Sequence, residues 1–195
     1  MRTVFDPAEL TPPRMHQVLT ASVVPRPIAW VSTVSESGVA NLAPYSFFSV
    51  SSVTPPVVQF TSVTRKDSLR NIEATREFVI NLASEPLMPV INSSSANYDG
   101  DVDEFAELGI ETEPSEHVRP SRVAGSPVAI ECKLRKVLPV GDSFVVMGNV
   151  IIVAVAAEAV ADDGLPDFAK LAPLSRLGRN EWGLPPRVVT VDRPD

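Results

Sequence analysis

Apolar and polar positions alternate with a period of two over most of the patterned runs of this chain, and follow a helical period over few. Ile28-Ala29-Trp30-Val31-Ser32-Thr33-Val34 is rich in branched and aromatic residues and predicts a strand over 28–34. Glu36-Ser37-Gly38 is a turn, and the chain returns as a second strand over 39–50, so the two make a hairpin. Thr54-Pro55-Pro56 admits only a strand start or an edge, because neither proline donates to a ladder. A third strand follows over 57–63. Phe78-Val79-Ile80-Asn81-Leu82 reads as a buried strand. Two long strands come next, over 128–138 and 143–156, the second almost wholly apolar from Phe144 onward. A last strand is expected over 188–191.

Helical signals are fewer. Thr11-Pro12-Pro13 opens a short helix: Thr11 can cap it, and Pro12 fits the first turn, where a missing N–H costs nothing. Met15, Val18 and Leu19 then share a face. Asp67 reads as the N-cap of a second helix whose buried stripe is Leu69, Ile72 and Ala74, ending near Glu77. Residues 84–126 are a polar, irregular excursion with one short helix over 102–108 ending at Gly109. Strands outnumber helices and come at hairpin spacing without regular crossover helices. The fold class expected is therefore mainly β with peripheral helices: a closed or nearly closed antiparallel barrel, Greek-key-like. A length of 195 residues suits a single domain over 1–195. Within it lie an N-terminal helical arm (1–24), the excursion (84–126) and a C-terminal tail (173–195).

Composition narrows the chemistry. A net charge of −7 disfavours a nucleic-acid partner, yet leaves a local pocket free to bind a small anion. The one cysteine, Cys132, lies in an alternating strand and reads as a buried structural thiol. His16 and His117 have no carboxylate or cysteine at ligand spacing, so no metal site is expected. No Gly-x-Gly-x-x-Gly follows a strand and no Gly-x-Ser-x-Gly elbow exists, which disfavours a Rossmann site and a serine triad. Asp101, Asp103 and Glu104 lack the spacing of a calcium loop and read as a solvated helix face. With no leader and no apolar run of spanning length, a cytoplasmic protein without a membrane partner is expected.

Two stretches carry candidate chemistry. Thr64-Arg65-Lys66-Asp67-Ser68 stands at a helix start, where free N–H groups and the helix dipole favour an anion. Arg65 and Lys66 add charge there, and Ser62 and Ser68 add hydroxyls. Asp67 competes with a phosphate, so its expected work is to cap the helix and orient the loop. An ordinary capped surface helix explains the same residues. Tyr45-Ser46-Phe47-Phe48-Ser49 mixes small polar and aromatic residues on both faces. That suits a flat heteroaromatic ring lying along a strand, and equally a barrel strand with a subunit interface on its outer side.

Taken in order, 25–82 resembles the flavin reductase-like proteins that hold FMN on a split β-barrel. The resemblance is carried by Pro25-Arg26-Pro27-Ile28-Ala29-Trp30-Val31-Ser32-Thr33, Asn41-Leu42-Ala43-Pro44-Tyr45-Ser46-Phe47-Phe48, Pro55-Pro56, Lys66-Asp67-Ser68 with Asn71-Ile72, and the strand 78–82. Asp142, Gly148-Asn149-Val150 and Arg176-Leu177-Gly178-Arg179-Asn180-Glu181-Trp182 extend it toward the end. It implies a homodimer with FMN near the interface. The isoalloxazine ring is then expected along Ala43, Pro44, Tyr45, Ser46 and Phe47, and the phosphate near Ser62, Arg65, Lys66 and Ser68 beside Asp67. The implied activity is reduction of free or bound flavin by NADH or NADPH, with FMN as cofactor, FAD as a flavin substrate and a monooxygenase as partner. Such chemistry is the cofactor's, so no catalytic residue is expected.

Two departures stand out. Many family members carry a His in the long strand where this chain reads Val150-Ile151-Ile152-Val153-Ala154-Val155, and a Glu where Asn149 stands. They favour a second reading, an FMN-binding electron carrier without nicotinamide activity of its own. A third, a barrel that binds no flavin, predicts a colourless protein that ignores added FMN.

Overall fold

The computed structural model describes residues 1–194. Seven strands form one antiparallel sheet: β1 (Ala29–Val34), β2 (Ala40–Tyr45), β3 (Phe48–Ser52), β4 (Val57–Val63), β5 (Glu77–Leu82), β6 (Val128–Val140) and β7 (Ser143–Val155). Their spatial order is β2-β1-β5-β6-β7-β4-β3. The two outermost strands, β2 and β3, are consecutive in the chain. The sheet therefore curls until its edges meet, and the single strand expected over 39–50 is divided between them. β2 pairs with β1 and β3 pairs with β4, so the backbone must leave one edge and join the other at Ser46–Phe47. The Phe47 carbonyl, in that break, accepts from the Thr61 N–H at 2.9 Å.

β1 shows why this barrel has two cores. Its side chains alternate: Ala29 and Val31 enter the interior cluster with Val58, Phe60, Phe78, Ile80 and Val146, while Trp30 points outward. Trp30 and Leu42 would face water there, but Ile91, Phe105 and Val123 of the excursion cover them. The polar stretch 84–126 thus folds by contributing a few apolar residues to the outer face of β1 and β2. Trp30 Nε1 donates to Ser94 Oγ at 2.9 Å and pins the excursion in place. The Phe78 ring of β5 lies against Gly148 of β7, where a Cβ would stand 2.4 Å from its Cζ; the β6–β7 ladder shifts register at that point.

Among the described residues five α-helices decorate the sheet: α1 (Pro12–Ser22), α2 (Asp67–Thr75), α3 (Met88–Ser93), α4 (Glu104–Glu107) and α5 (Phe168–Leu171). α2 does more than pack outside, because Leu69 and Ile72 join the interior cluster and close one end of the barrel; Ala74 stays exposed. The helix stops at Thr75, and Arg76 takes a left-handed C-cap (φ 66°), which leaves Glu77 to begin β5. The short helix expected over 102–108 is α4, capped by Asp103 Oδ1 accepting from the Phe105 and Ala106 N–H groups. α1 buries none of its residues, and the Thr11 side chain makes no cap. The strand expected over 188–191 does not form. Strand propensity needs an edge to pair with, and Val188, Val189 and Val191 find none and remain exposed. Two-residue pairings join Arg26–Pro27 to Ser175–Arg176, and Ser175–Arg176 to Trp182–Gly183. They bring the tail back to the start of the barrel. No helix among the described residues is long and apolar enough to cross a membrane.

Candidate functional site

At the β2–β3 break two cavities adjoin, of about 330 and 250 Å³, sharing Pro44, Tyr45 and Lys66 as walls. Ala43, Arg65, Asp67 and Ser68 line the first; Ser46 and Phe47 line the second. Nine of the ten expected site residues are therefore gathered around one groove. Ser62 is the exception. It is fully buried and lines neither cavity, and its Oγ donates to the Thr64 carbonyl at 3.0 Å.

The start of α2 forms the polar end of the groove. Lys66 is the N-cap residue and contributes no side-chain cap, so the first amides of the helix keep their donors unspent. Asp67 does not cap, contrary to expectation. It occupies the first helical position, where its carboxylate pairs with Arg70 one turn on. An i,i+3 partner on the same face competes successfully for the carboxylate. Arg65 is also engaged: it pairs with Glu73 and its guanidinium lies 5.3 Å over the Phe144 ring. Among the described residues Lys66 has no ion-pair partner, so it is the cation at this helix start left free for a ligand.

Behind the first cavity runs a directed chain of hydrogen bonds that the local sequence does not reveal. Glu104, read above as part of a solvated face, is only 5% exposed. Its Oε1 accepts from Asn41 Nδ2 at 2.6 Å and its Oε2 from the Leu42 N–H at 3.1 Å. Because the carboxylate takes the amide's NH₂, the Asn41 carbonyl faces the other way and accepts from Ser68 Oγ at 2.7 Å and Thr33 Oγ1 at 3.3 Å. Ser68 therefore spends its proton on Asn41 and offers the cavity lone pairs, not the donor expected of it. Burial raises the Glu104 carboxyl above its ordinary pKa, an effect that its own hydrogen bonds only partly offset, and the Asp67 charge adds to it.

Tyr45 closes the floor. Its ring packs 4.6 Å from Phe60 in the barrel interior, and among the described residues its buried Oη has no hydrogen-bond partner, near the Ser62 and Ser68 hydroxyls whose protons go elsewhere. Burial pushes the phenol pKa up. Ser46 is half-buried and Phe47 exposed, so the groove wall is small and polar beside one aromatic edge.

The far end of the groove holds residues to which sequence reading gave no role. Arg26, Arg176, Arg179 and His16 line the second cavity, and Arg176 with Trp182 lines the adjoining hollows. Arg26, Arg176 and Trp182 fall within the motifs that carry the family resemblance, which was the available signal. Cys132 is buried, and burial drives its thiol pKa upward, as befits an inert structural residue. His117 donates its backbone N–H to Glu131. Among the described residues no group of three or more His, Cys, Asp or Glu side chains converges as a metal site. Asn149 binds Arg135 at 3.1 Å, and neither it nor 150–155 lines these cavities.

Solved structures share this architecture over nearly the whole chain. Nitrilotriacetate monooxygenase component B from Bacillus cereus is 27% identical, with a TM-score of 0.94 over 98% of this chain and 99% of that one. The 2-nitrobenzoate 2-nitroreductase of Pseudomonas fluorescens is 26% identical, with a TM-score of 0.91 over 98% and 96%. An FMN-binding protein from Thermus thermophilus shares the fold at 17% identity, with a TM-score of 0.80 over 98% and 100%. The flavin reductase like domain model matches residues 21–170, a span that takes in the whole seven-stranded sheet and the start of α2. The chain belongs to the flavin reductase like family and has its split-barrel fold.

Proposed function

We propose that this chain is an FMN-binding oxidoreductase of the flavin reductase type, using NADH or NADPH and serving an acceptor or a partner monooxygenase. The observation that carries the reading is the uncapped start of α2 with unpaired Lys66, set at one end of a groove along the edge strand β2. Lys66 and the first amides of α2 would grip the phosphate, and Ala43, Pro44, Ser46 and Phe47 would flank the ring. Held there, FMN would supply the redox chemistry between a nicotinamide donor and a flavin or oxygen acceptor. The protein's residues bind, orient and exclude water; no side chain is asked to move a proton. The likeness to a monooxygenase component B supports a monooxygenase partner.

The homodimer belongs to the same reading. Val50, Val53, Ile151 and Val153 are exposed on the barrel, and α1 buries nothing within its own chain, so a second copy has apolar surface to cover. Light scattering at low micromolar concentration that returns a monomer still holding FMN counts against it. The span 1–195 is proposed as one domain and the protein as cytoplasmic.

The purified protein is expected to be yellow and to bind FMN more tightly than riboflavin. Lys66→Ala should weaken FMN about tenfold to a hundredfold, the equivalent of about 1.5–3 kcal/mol for hydrogen bonds to a charged group, and leave riboflavin nearly unchanged. Equal loss for both ligands would remove the phosphate from this helix start. A colourless protein that ignores added FMN overturns the reading altogether. The electron-carrier alternative is favoured by Asn149 and by the absence of a His in 150–155. Stopped-flow mixing with NADH and NADPH separates the two, since fast bleaching of the flavin band requires nicotinamide activity.

A further inference from the structure

The charge of the groove is divided unequally between its ends. The α2 end mixes signs, with Arg65, Lys66 and Arg70 beside Asp67 and Glu104. Beyond Lys66, which the two cavities share, the far end is lined by His16, Arg26, Arg176 and Arg179 and, among the described residues, by no carboxylate, in a chain whose net charge is −7. Arg26 and Arg176 are register partners on neighbouring antiparallel segments, a placement of like charges that costs stability unless something answers it. Among the described residues neither forms an ion pair, whereas Arg179 pairs with Glu181 at 3.3 Å.

The two arginines are held in place by other means. Arg26 is 7% exposed, and its guanidinium donates to the carbonyls of Thr20, Val23 (2.8 Å) and Leu177 (2.8 Å), at the negative end of α1. Among the described residues its Nε, which is buried, has no partner. Arg176 lies 4.8 Å over the Trp182 ring and donates to the Arg179 carbonyl at 3.2 Å. Gly178 lets the tail press against α1, since a Cβ there would stand 2.9 Å from Ala21 Cβ. The arginine pair is thus built into the junction of α1, the barrel entrance and the tail, and is not a flexible surface cluster. Burial holds both guanidinium pKa values below their ordinary range, and Arg176 depresses Arg26 further.

We propose that Arg26 and Arg176, flanked by Arg179 and His16, form a second anion subsite distinct from the phosphate seat at α2, holding the anionic group of the molecule that reacts at the ring. The ligand chemistry is a compact anion, carried either as the diphosphate of a dinucleotide donor or as the carboxylate of an acidic acceptor. Its place follows from Pro44, Tyr45 and Ser46, which line the same cavity and would flank the ring. The inference rests on the flavin reading above.

The test uses FMN-saturated protein, so that the α2 seat is filled, with inorganic pyrophosphate and benzoate titrated separately by calorimetry. Saturable binding of either, weakened about tenfold or more in Arg176→Gln and restored in Arg176→Lys, is the expected result, with FMN affinity unchanged. Preference for pyrophosphate assigns the subsite to a dinucleotide, and preference for benzoate to an acidic acceptor. Failure of both probes to bind, or equal binding by Arg176→Gln, overturns the proposal. So does a parallel loss of FMN affinity in Arg176→Gln, which would put the cofactor's own phosphate here and leave the flavin reading standing. If the wild-type protein takes up no FMN, the flavin reading fails, and the same titrations on the protein as purified decide the anion site separately. Arg26 is left intact because its three carbonyl contacts hold α1.

Discussion

Glu131 and Glu104 are both removed from solvent, at 0% and 5% exposure, yet they are held in opposite ways. Glu131 is answered by charge. Arg122 donates to its Oε1 through Nε (3.0 Å) and Nη2 (2.5 Å), and the N–H groups of Glu116 (2.8 Å) and His117 (2.7 Å) complete the set. Burial by itself would raise its pKa, but those donors outweigh burial and hold the carboxyl below its ordinary value. Among the described residues Glu104 has no cation on it. One amide and one backbone N–H satisfy it, and burial prevails. The position of each explains the difference. Glu131 staples the excursion to β6 and lines none of the groove's cavities. Glu104 lines the groove and, through Asn41, sets which way Ser68 points at the start of α2. A carboxylate neutralised by a buried arginine serves stability. One left to neutral donors beside a cavity serves to orient its neighbours.

The largest effect expected from this contrast is that of Glu131→Gln. Breaking a buried pair strands the Arg122 charge, which keeps only Glu116 (3.1 Å) and Glu113 (3.5 Å) at its outer side. A loss of about 3–5 kcal/mol in urea unfolding is expected. A loss under about 1 kcal/mol would show that the outer glutamates suffice, and would erase the distinction. Glu104→Gln should cost less, about 1–3 kcal/mol, because a carboxamide must turn its NH₂ toward either the Asn41 amide or the Leu42 N–H and leave one donor unmet. Equal costs for the two variants would mean that both carboxylates are structural staples.

The subtlest effect is a difference of slope with pH. Glu131, with a depressed folded-state pKa, stabilises above the ordinary glutamate value of 4.5, and that contribution is lost as pH falls through its lowered value. Glu104, with a raised one, contributes fully below 4.5 and loses that contribution as pH rises through its elevated value. The stability gap between wild type and Glu131→Gln should therefore narrow in acid, while the gap to Glu104→Gln widens. Parallel slopes, read from unfolding free energies at a series of pH values, would contradict the opposite settings of the two groups.

Much of this architecture was legible in the chain. β1, β4, β5 and the two long strands were read within a residue or two, because alternation and branched side chains report a half-buried or buried strand directly. Nine of the ten residues that the family resemblance named for a cofactor line one groove. What was misread shares a cause. The run 39–50 has unbroken strand character, yet two different edges claim its halves. Val188–Val191 has strand composition and no edge to join. Asp67 has the type of a cap but finds Arg70 first.

Periodicity, turn residues and proline placement act over a few positions, so the strands, α2, the exclusion of a Rossmann site and the family likeness are all readable from local stretches of the chain. Which carboxylate is buried depended on partners far away along the chain. Asn41 and Glu104 are 63 positions apart, and Arg26 reaches Leu177 across 151. Local composition makes Glu104 one acid among several; only closure of the excursion over β1 and β2 takes it out of water, where desolvation raises its pKa and hydrogen bonds dictate its orientation. Arg26 and Arg176 likewise become a pair only when the tail folds back onto the barrel entrance, because the repulsion and shared cavity that define them exist between segments and not within either.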